Sequence, residues 1–192
     1  MNADGSGQTR LTFNPTVDDG PARFSPDGKM IAFSRSAAVD GLDYYNFDIY
    51  TMNADGSDVR QLTTDKEYDT GPVWSPDGRE IAFVSGRAHN FDVFTMNADG
   101  TEQTNVTNTP ENDGPMAWLP DGRSIIVSDE GRNGISQLWK INSDGTDRHQ
   151  LTSFADNSYR WYGYPTIPGK FVIAGRKEGN SEVYLLDVTL PE

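Results

Sequence analysis

Trp74-Ser75-Pro76-Asp77-Gly78-Arg79-Glu80-Ile81-Ala82-Phe83 is the stretch on which the fold turns: a tight-turn signal running directly into a short apolar segment. The same unit stands at Phe24-Ser-Pro-Asp-Gly and Trp118-Leu-Pro-Asp-Gly, and decays to Thr166-Ile-Pro-Gly. A second motif keeps step with it, as Met1-Asn-Ala-Asp-Gly-Ser, Met52-Asn-Ala-Asp-Gly-Ser, Met96-Asn-Ala-Asp-Gly-Thr and Ile141-Asn-Ser-Asp-Gly-Thr, at spacings of 51, 44 and 45 residues. A third closes each unit: Arg10-Leu-Thr, Gln61-Leu-Thr, Asn105-Val-Thr and Gln150-Leu-Thr. Repeats of 40 to 45 residues holding several short strands are the pattern of propeller blades, not of helical solenoids.

Within the best-preserved unit the spacing predicts an inner strand over 71–75, a second over 80–85, a third over 91–97 and a polar outer strand over 103–107. The second strand is apolar on both faces in every copy (Met30-Ile-Ala-Phe, Ile81-Ala-Phe-Val, Ile125-Ile-Val, Val172-Ile-Ala), as a sheet held between two others requires. No apolar stripe of helical period appears. The expected fold is all-β: a single propeller domain over 1–192 of four-stranded antiparallel blades. Its repeats run over about 13–63, 64–107, 108–152 and 153–192, the last completed by 1–12.

Charge arithmetic excludes some partners. Of the 192 residues 29 are acidic and 16 basic, a net charge of −13, and 21 of the acids are Asp. Nucleic acid and anionic membrane surfaces are therefore disfavoured, since phosphates are bound by clustered Lys and Arg. Ten Asp residues precede Gly, at 4, 19, 27, 40, 55, 77, 99, 113, 121 and 144. Asp-Gly between apolar runs predicts type I′ hairpins, with both central residues at positive φ. Much of the acidity is thus read as turn chemistry. The chain has no Cys, so it carries no disulfide or thiolate chemistry. It shows no export signal and no apolar run of bilayer length.

With Trp74-Ser-Pro-Asp-Gly-Arg-Glu-Ile-Ala-Phe followed by Asp92-Val-Phe-Thr-Met-Asn-Ala-Asp-Gly, the chain resembles the WD-like repeat of the bacterial TolB propeller family along its whole length. The resemblance is specific for the blade and less so for function. Such blades occur in periplasmic scaffolds, in the gating propellers of serine peptidases and in oligogalacturonate lyases. It implies a docking platform for protein partners and a periplasmic or otherwise extracytoplasmic setting. Two departures stand out: TolB-like proteins carry an additional N-terminal domain, for which these repeats leave no residues, and their propellers have six or more blades where this chain has material for four.

The chain opens on a turn and outer strand (8–12) and closes on a third strand (182–188), so the N-terminal strand is expected to complete the last blade. Three arrangements satisfy this phase: a closed four-bladed ring, a homodimer forming an eight-bladed ring, or part of a longer array. Wedge angles suited to larger rings favour the dimer.

Function is expected on the loop face around the channel. The longest loop there, 36–46, brings Asp40, Asp43, Tyr44 and Tyr45, and the shorter 86–90 loop brings Arg87 and His89. Inner strands begin with Asp18-Asp19-Gly-Pro, Asp69-Thr-Gly-Pro and Asn112-Asp113-Gly-Pro, which place carboxylates at the channel mouth. Asp19, Asp69 and Asp113 offer oxygen ligands for Ca²⁺; the competing reading is that each bonds its own backbone. The fourth copy replaces the acids with Arg160-Trp161-Tyr162, an aromatic and cationic patch.

No catalytic pattern rises above background. The chain has two His, of which His149 falls in an outer strand and His89 in a face loop, and Gly-x-Ser-x-Gly is absent. The primary reading is a binding or scaffold module for a protein partner or small ligand, requiring no cofactor. The alternative is a glycan or peptide hydrolase or lyase using the channel-mouth carboxylates.

Overall fold

The structure is a computed structural model that describes residues 4–38, 45–131, 135–153, 159–160, 170–177 and 180–187. The described strands form four antiparallel sheets, each built from consecutive strands. Blade 1 is β1 (Asp19–Phe24), β2 (Met30–Ala38), β3 (Tyr45–Asn53) and β4 (Arg60–Gln61). Blade 2 is β5 (Asp69–Trp74), β6 (Glu80–Ser85), β7 (Asp92–Asn97) and β8 (Thr104–Asn105). Blade 3 is β9 (Asn112–Trp118), β10 (Ser124–Glu130), β11 (Ser136–Asn142) and β12 (His149–Gln150). The fourth sheet holds β13 (Tyr159–Arg160), β14 (Lys170–Lys177) and β15 (Asn180–Asp187). One register repeats through all four: Phe33 faces Tyr50, Phe83 faces Phe94, Val127 faces Trp139 and Ile173 faces Tyr184. The all-β, propeller-type architecture expected from the repeats is what the chain adopts.

Apolar faces meet between blades. β5 packs on β1, β2 and β3, and β9 packs on β5, β6 and β7. Ala32 and Ile49 of blade 1 join Trp74, Ile81, Phe83, Phe94 and Met96 of blade 2 in one core. Val73, Ala82 and Val93 of blade 2 join Trp118, Ile125, Val127 and Ile141 of blade 3 in the next. In blades 2 and 3 the aromatic ahead of the Pro-Asp-Gly turn is a fastener: Trp74 Nε1 donates to Arg23 O at 3.2 Å and Trp118 Nε1 to Val73 O at 3.1 Å, each reaching into the preceding blade.

The third motif has an equally direct cause. Its threonine hydroxyl accepts a backbone N–H of the neighbouring third strand, Thr63 from Ile49, Thr107 from Val93 and Thr152 from Leu138, at 2.8–3.0 Å. The same hydroxyl donates to Asp48 and to Asp92, and in blade 3 to Gln137. A two-residue outer strand, shorter than the 103–107 expected, is held to its blade by this clamp.

The turns differ from expectation. Asp27, Asp55, Asp77, Asp99, Asp121 and Asp144 do not have positive φ; only the glycine after each does. These are therefore not type I′ turns. Gly28 N donates to Ser25 O and Gly100 N to Asn97 O, both at 2.9 Å, so each loop is an i to i+3 turn ended by a left-handed glycine. Asp is selected as an acceptor: Asp77 takes the Arg79 N–H and the Ser75 hydroxyl, and Asp99 takes the N–H and hydroxyl of Thr101. Asp19-Gly20 and Asp113-Gly114 lie inside strands, beside ladder irregularities in blades 1 and 3.

Residues 8–12 form no strand, and among the described residues no fourth strand pairs with β13–β15. Leu11 instead backs the Gly56 turn of blade 1, as Leu62 backs Gly100 and Val106 backs Gly145. It holds the place that the residue just after the outer strand of the preceding blade holds in blades 2 and 3.

Candidate binding face

The first residues of the inner strands and the last of the second strands share one edge of each blade, and the expected acids converge there with cations. Asp19 is opposite Arg35 in the ladder and receives two of its N–H groups, at 2.6 and 3.1 Å. Asp69, fully buried, receives Arg87 Nη2 at 2.6 Å. Asp113 lies 3.6 Å from Arg148, which binds Asp129 at 2.7 Å, and accepts the Thr109 hydroxyl at 2.6 Å. Each arginine also lies over an aromatic ring: Arg35 over Phe33 and Tyr50, Arg87 over Phe83 and Phe94, and Arg148 over Trp139 at 4.6 Å.

The three arginines come from different points in the repeat, namely the second strand, the loop after it and the approach to the outer strand, yet they occupy equivalent places. Asp19, Asp69 and Asp113 thus each have an internal counter-ion. Among the described residues no group of three or more His, Asp or Glu is arranged to hold a metal ion.

Electrostatics at this edge follow from burial and from these pairs. Burial pushes the Asp19 carboxyl up, but the hydrogen bonds from Arg35 and Thr12 outweigh it and hold it below the usual range. For Asp48, burial dominates over the hydrogen bonds of Thr63 and Gln61, and with Asp69 nearby its pKa is pushed up to about 6. Asp113 is pushed up to about 6 by burial, against Thr109 and Arg148.

A raised carboxyl pKa means that the folded chain holds the proton more tightly than the unfolded one. The stabilisation is complete below the unfolded value of about 3.8 and is lost as pH rises through about 6. The thermal midpoint is therefore expected to fall between pH 4.5 and 6.5. In an Asp48→Asn, Asp113→Asn double variant the fall should be smaller by a few degrees; an equal fall in both proteins, followed by circular dichroism, would remove these two residues as its cause.

The other expected site residues are distributed as follows. Asp18 is exposed, and its backbone pairs with Ser36, the Asp18 N–H to the hydroxyl and Ser36 N–H to Asp18 O. Arg87 also reaches Gln103 Oε1 at 2.6 Å, which gives it a structural post. His89 is exposed with φ of +73°, at the tip of a turn closed by its N–H on Gly86 O. Tyr45 opens β3. Asp40, Asp43, Tyr44, Trp161 and Tyr162 lie outside the described residues.

Around the His89 turn the structure adds a feature the motifs did not single out. Phe47, Tyr68 and Phe91 form a ladder of rings across the blade 1–blade 2 boundary, with centroids 5.1 and 6.2 Å apart. Tyr68 is 36 % and Phe91 43 % exposed. Tyr68 and Phe91 line a groove of about 530 Å³ with Lys66, His89 and Asn112. A sequence signal existed: Phe47-Asp48, Tyr68-Asp69 and Phe91-Asp92 are three aromatic-Asp pairs at the same blade edge. In each pair the Asp is buried, so alternation sends the aromatic before it toward solvent.

The sequence pattern of the Tricorn protease N-terminal beta propeller domain matches residues 42–161. The chain is 35% identical over 85 residues to the uncharacterized protein Atu1656 of Agrobacterium fabrum, covering 44% of this chain and 27% of that one. It is 34% identical over 61 residues to Dipeptidyl-peptidase 5 of Porphyromonas gingivalis, covering 32% of this chain and 9% of that one. The crystal structure of TolB from Acinetobacter baumannii superimposes with a TM-score of 0.76 at 20% identity, over 97% of this chain and 45% of TolB. The chain thus spans well under two thirds of the length of these relatives. No helix among the described residues is long and apolar enough to cross a membrane.

Proposed function

We propose, for a chain that belongs to the family of the Tricorn protease N-terminal beta propeller domain and is a TolB-like propeller, that it is a docking module which holds an extended segment of a protein partner on its loop face. The observation that carries this reading is the ladder of Phe47, Tyr68 and Phe91, of which Tyr68 and Phe91 are exposed and line a groove. Large rigid aromatics supply contact area at small entropic cost and are the side chains on which binding energy concentrates. Lys66 and His89 at the groove edge add polar contacts to an extended backbone. An extracytoplasmic setting follows from the TolB resemblance and belongs to the same reading.

The alternative reading, a hydrolase or lyase using channel-mouth carboxylates, needs acids free to exchange protons with substrate. Asp19 and Asp69 are instead bound to Arg35 and Arg87, which favours docking.

The test is selection of peptides from a random phage-displayed library on the full chain. Selected peptides are expected to bind Tyr68→Ala and Phe91→Ala more than about 10-fold more weakly, with Tyr68→Phe close to the parent. Both positions are exposed enough for the fold to survive. Peptides that bind all variants equally would place recognition elsewhere and overturn this assignment.

A further inference from the structure

The groove at the blade 1–blade 2 boundary has already spent much of its own hydrogen-bonding capacity. Gly86 N–H donates to Tyr68 O at 2.8 Å, and Gly86 O accepts the His89 N–H at 3.3 Å. Phe91 N–H donates to Asn112 Oδ1 at 3.1 Å, and Phe91 O accepts the Asp113 N–H at 2.6 Å. Asn90 turns its amide onto the Thr109 and Glu111 carbonyls, at 2.9 and 2.6 Å, and Arg87 is held by Asp69 and Gln103. Such a lining offers an occupant the rings of Tyr68 and Phe91 and, at its edge, the exposed side chains of Lys66, Glu67 and His89. A segment bound as an added β-strand draws its affinity from free backbone partners. The bonded groups here supply none, and a strand N–H pressed against the rings would be desolvated without a partner.

We infer that the segment docked in this groove is proline-rich and in the polyproline II conformation, with a Lys or Arg at one end; the inference rests on the docking role proposed above. Proline has no N–H, so it strands no donor against the rings. Its carbonyls point outward in polyproline II, to water or to a donor such as the Lys66 ammonium. The segment is extended before it binds, so ordering it costs little, which suits a short contact. The contact is short because the ring series stops: after Phe47, Tyr68 and Phe91, the next positions of the repeat are Asn112 and Ser136. Tyr68 and Phe91 stand edge to face at 69°, centroids 6.2 Å apart, and present two differently inclined apolar surfaces to one chain. The basic end follows from charge. Arg87 is neutralised by Asp69, the Glu67 carboxylate is exposed beside the rings, and the chain carries a net charge of −13, a field that draws in a cationic segment.

The probe is a set of short synthetic proline-rich peptides ending in Arg, each with a twin in which alanine replaces every proline, titrated onto the full chain. Binders are expected among the proline set, with the alanine twins at least about 10-fold weaker, and with Tyr68→Ala and Phe91→Ala each costing at least about 10-fold. Exchanging the terminal Arg for Glu is expected to weaken binding about 3-fold, a difference that Glu67→Gln narrows. If peptides that depend on Tyr68 and Phe91 bind equally well as alanine twins, the docking face stands and the proline assignment is overturned. If proline-rich peptides bind and ignore both aromatic substitutions, the groove itself is overturned as their site. Failure of the whole proline set to bind overturns the inference, and an Arg-to-Glu exchange without effect overturns its basic end.

Discussion

Trp118→Ala is expected to destabilise the chain by about 3–5 kcal/mol, the range for removing a large aromatic from a packed core. Trp118 is 7 % exposed and sits among Val73, Ala82 and Val93 of blade 2 and Ile125, Val127 and Ile141 of its own blade, so the cavity opens between blades. The substitution also strips the Val73 carbonyl of the indole N–H at 3.1 Å. Stability in a repeat array is approximately a sum of unit terms and nearest-neighbour interfaces. Weakening one interface should therefore also broaden the transition, with blade 3 unfolding ahead of blade 2. Phe24→Ala is the internal control: at 63 % exposure it should change the stability of the monomeric chain by less than about 0.5 kcal/mol. Urea unfolding followed by tryptophan fluorescence and by far-ultraviolet circular dichroism measures both. A cost below about 1 kcal/mol for Trp118→Ala would mean that the blades are not coupled through this side chain.

What could be read in advance divides by physical scale. The blade was legible because its signals are local: Pro-Asp-Gly punctuates the chain, the apolar run of Glu80–Ser85 has the length of a strand, and repetition multiplies each weak cue. Turn type was not legible, because Asp-Gly is compatible both with two left-handed residues and with a right-handed Asp before a left-handed Gly. The choice was made by the Asp side chain, which caps the next N–H, at Arg79 for Asp77 and at Thr101 for Asp99. The acids at the channel mouth were located correctly along the chain, but their partners were not foreseeable. Arg35, Arg87 and Arg148 sit at three different repeat positions, and only the folded blade brings them to one place. The same limit applies to the aromatic ladder: Tyr68 and Phe91 lie 23 residues apart (91 − 68), in the loops before the inner strand and before the third strand of blade 2, so their neighbourhood is a property of how the loops pack against Phe47.

Gly100→Ala separates two requirements that the repeated glycines share on paper. Gly100 and Gly78 are both left-handed, with φ of +90° and +72°, so alanine at either position carries the intrinsic cost of about 1–2 kcal/mol. Their surroundings differ. A Cβ on Gly78 would find only Pro26 Cδ at 3.6 Å, an ordinary contact, whereas a Cβ on Gly100 would lie 2.9 Å from the Leu62 carbonyl oxygen and 3.2 Å from its Cα. That neighbour is backbone, and it cannot move alone. Leu62 N–H is bonded to Ile49 O, and the next residue is Thr63, whose hydroxyl holds the Ile49 N–H and Asp48. Displacing Leu62 therefore strains the clamp that fastens the outer strand of blade 1 and the seam against blade 2 together. The expected cost is about 3 kcal/mol for Gly100→Ala, left-handed strain plus overpacking, against 1–2 kcal/mol for Gly78→Ala. Hydrogen exchange adds a spatial readout: Ile49 and Leu62 amides should lose protection in the first variant and keep it in the second. Equal costs, or protection unchanged at both amides, would show that the turn in one blade does not bear on the outer strand of its neighbour.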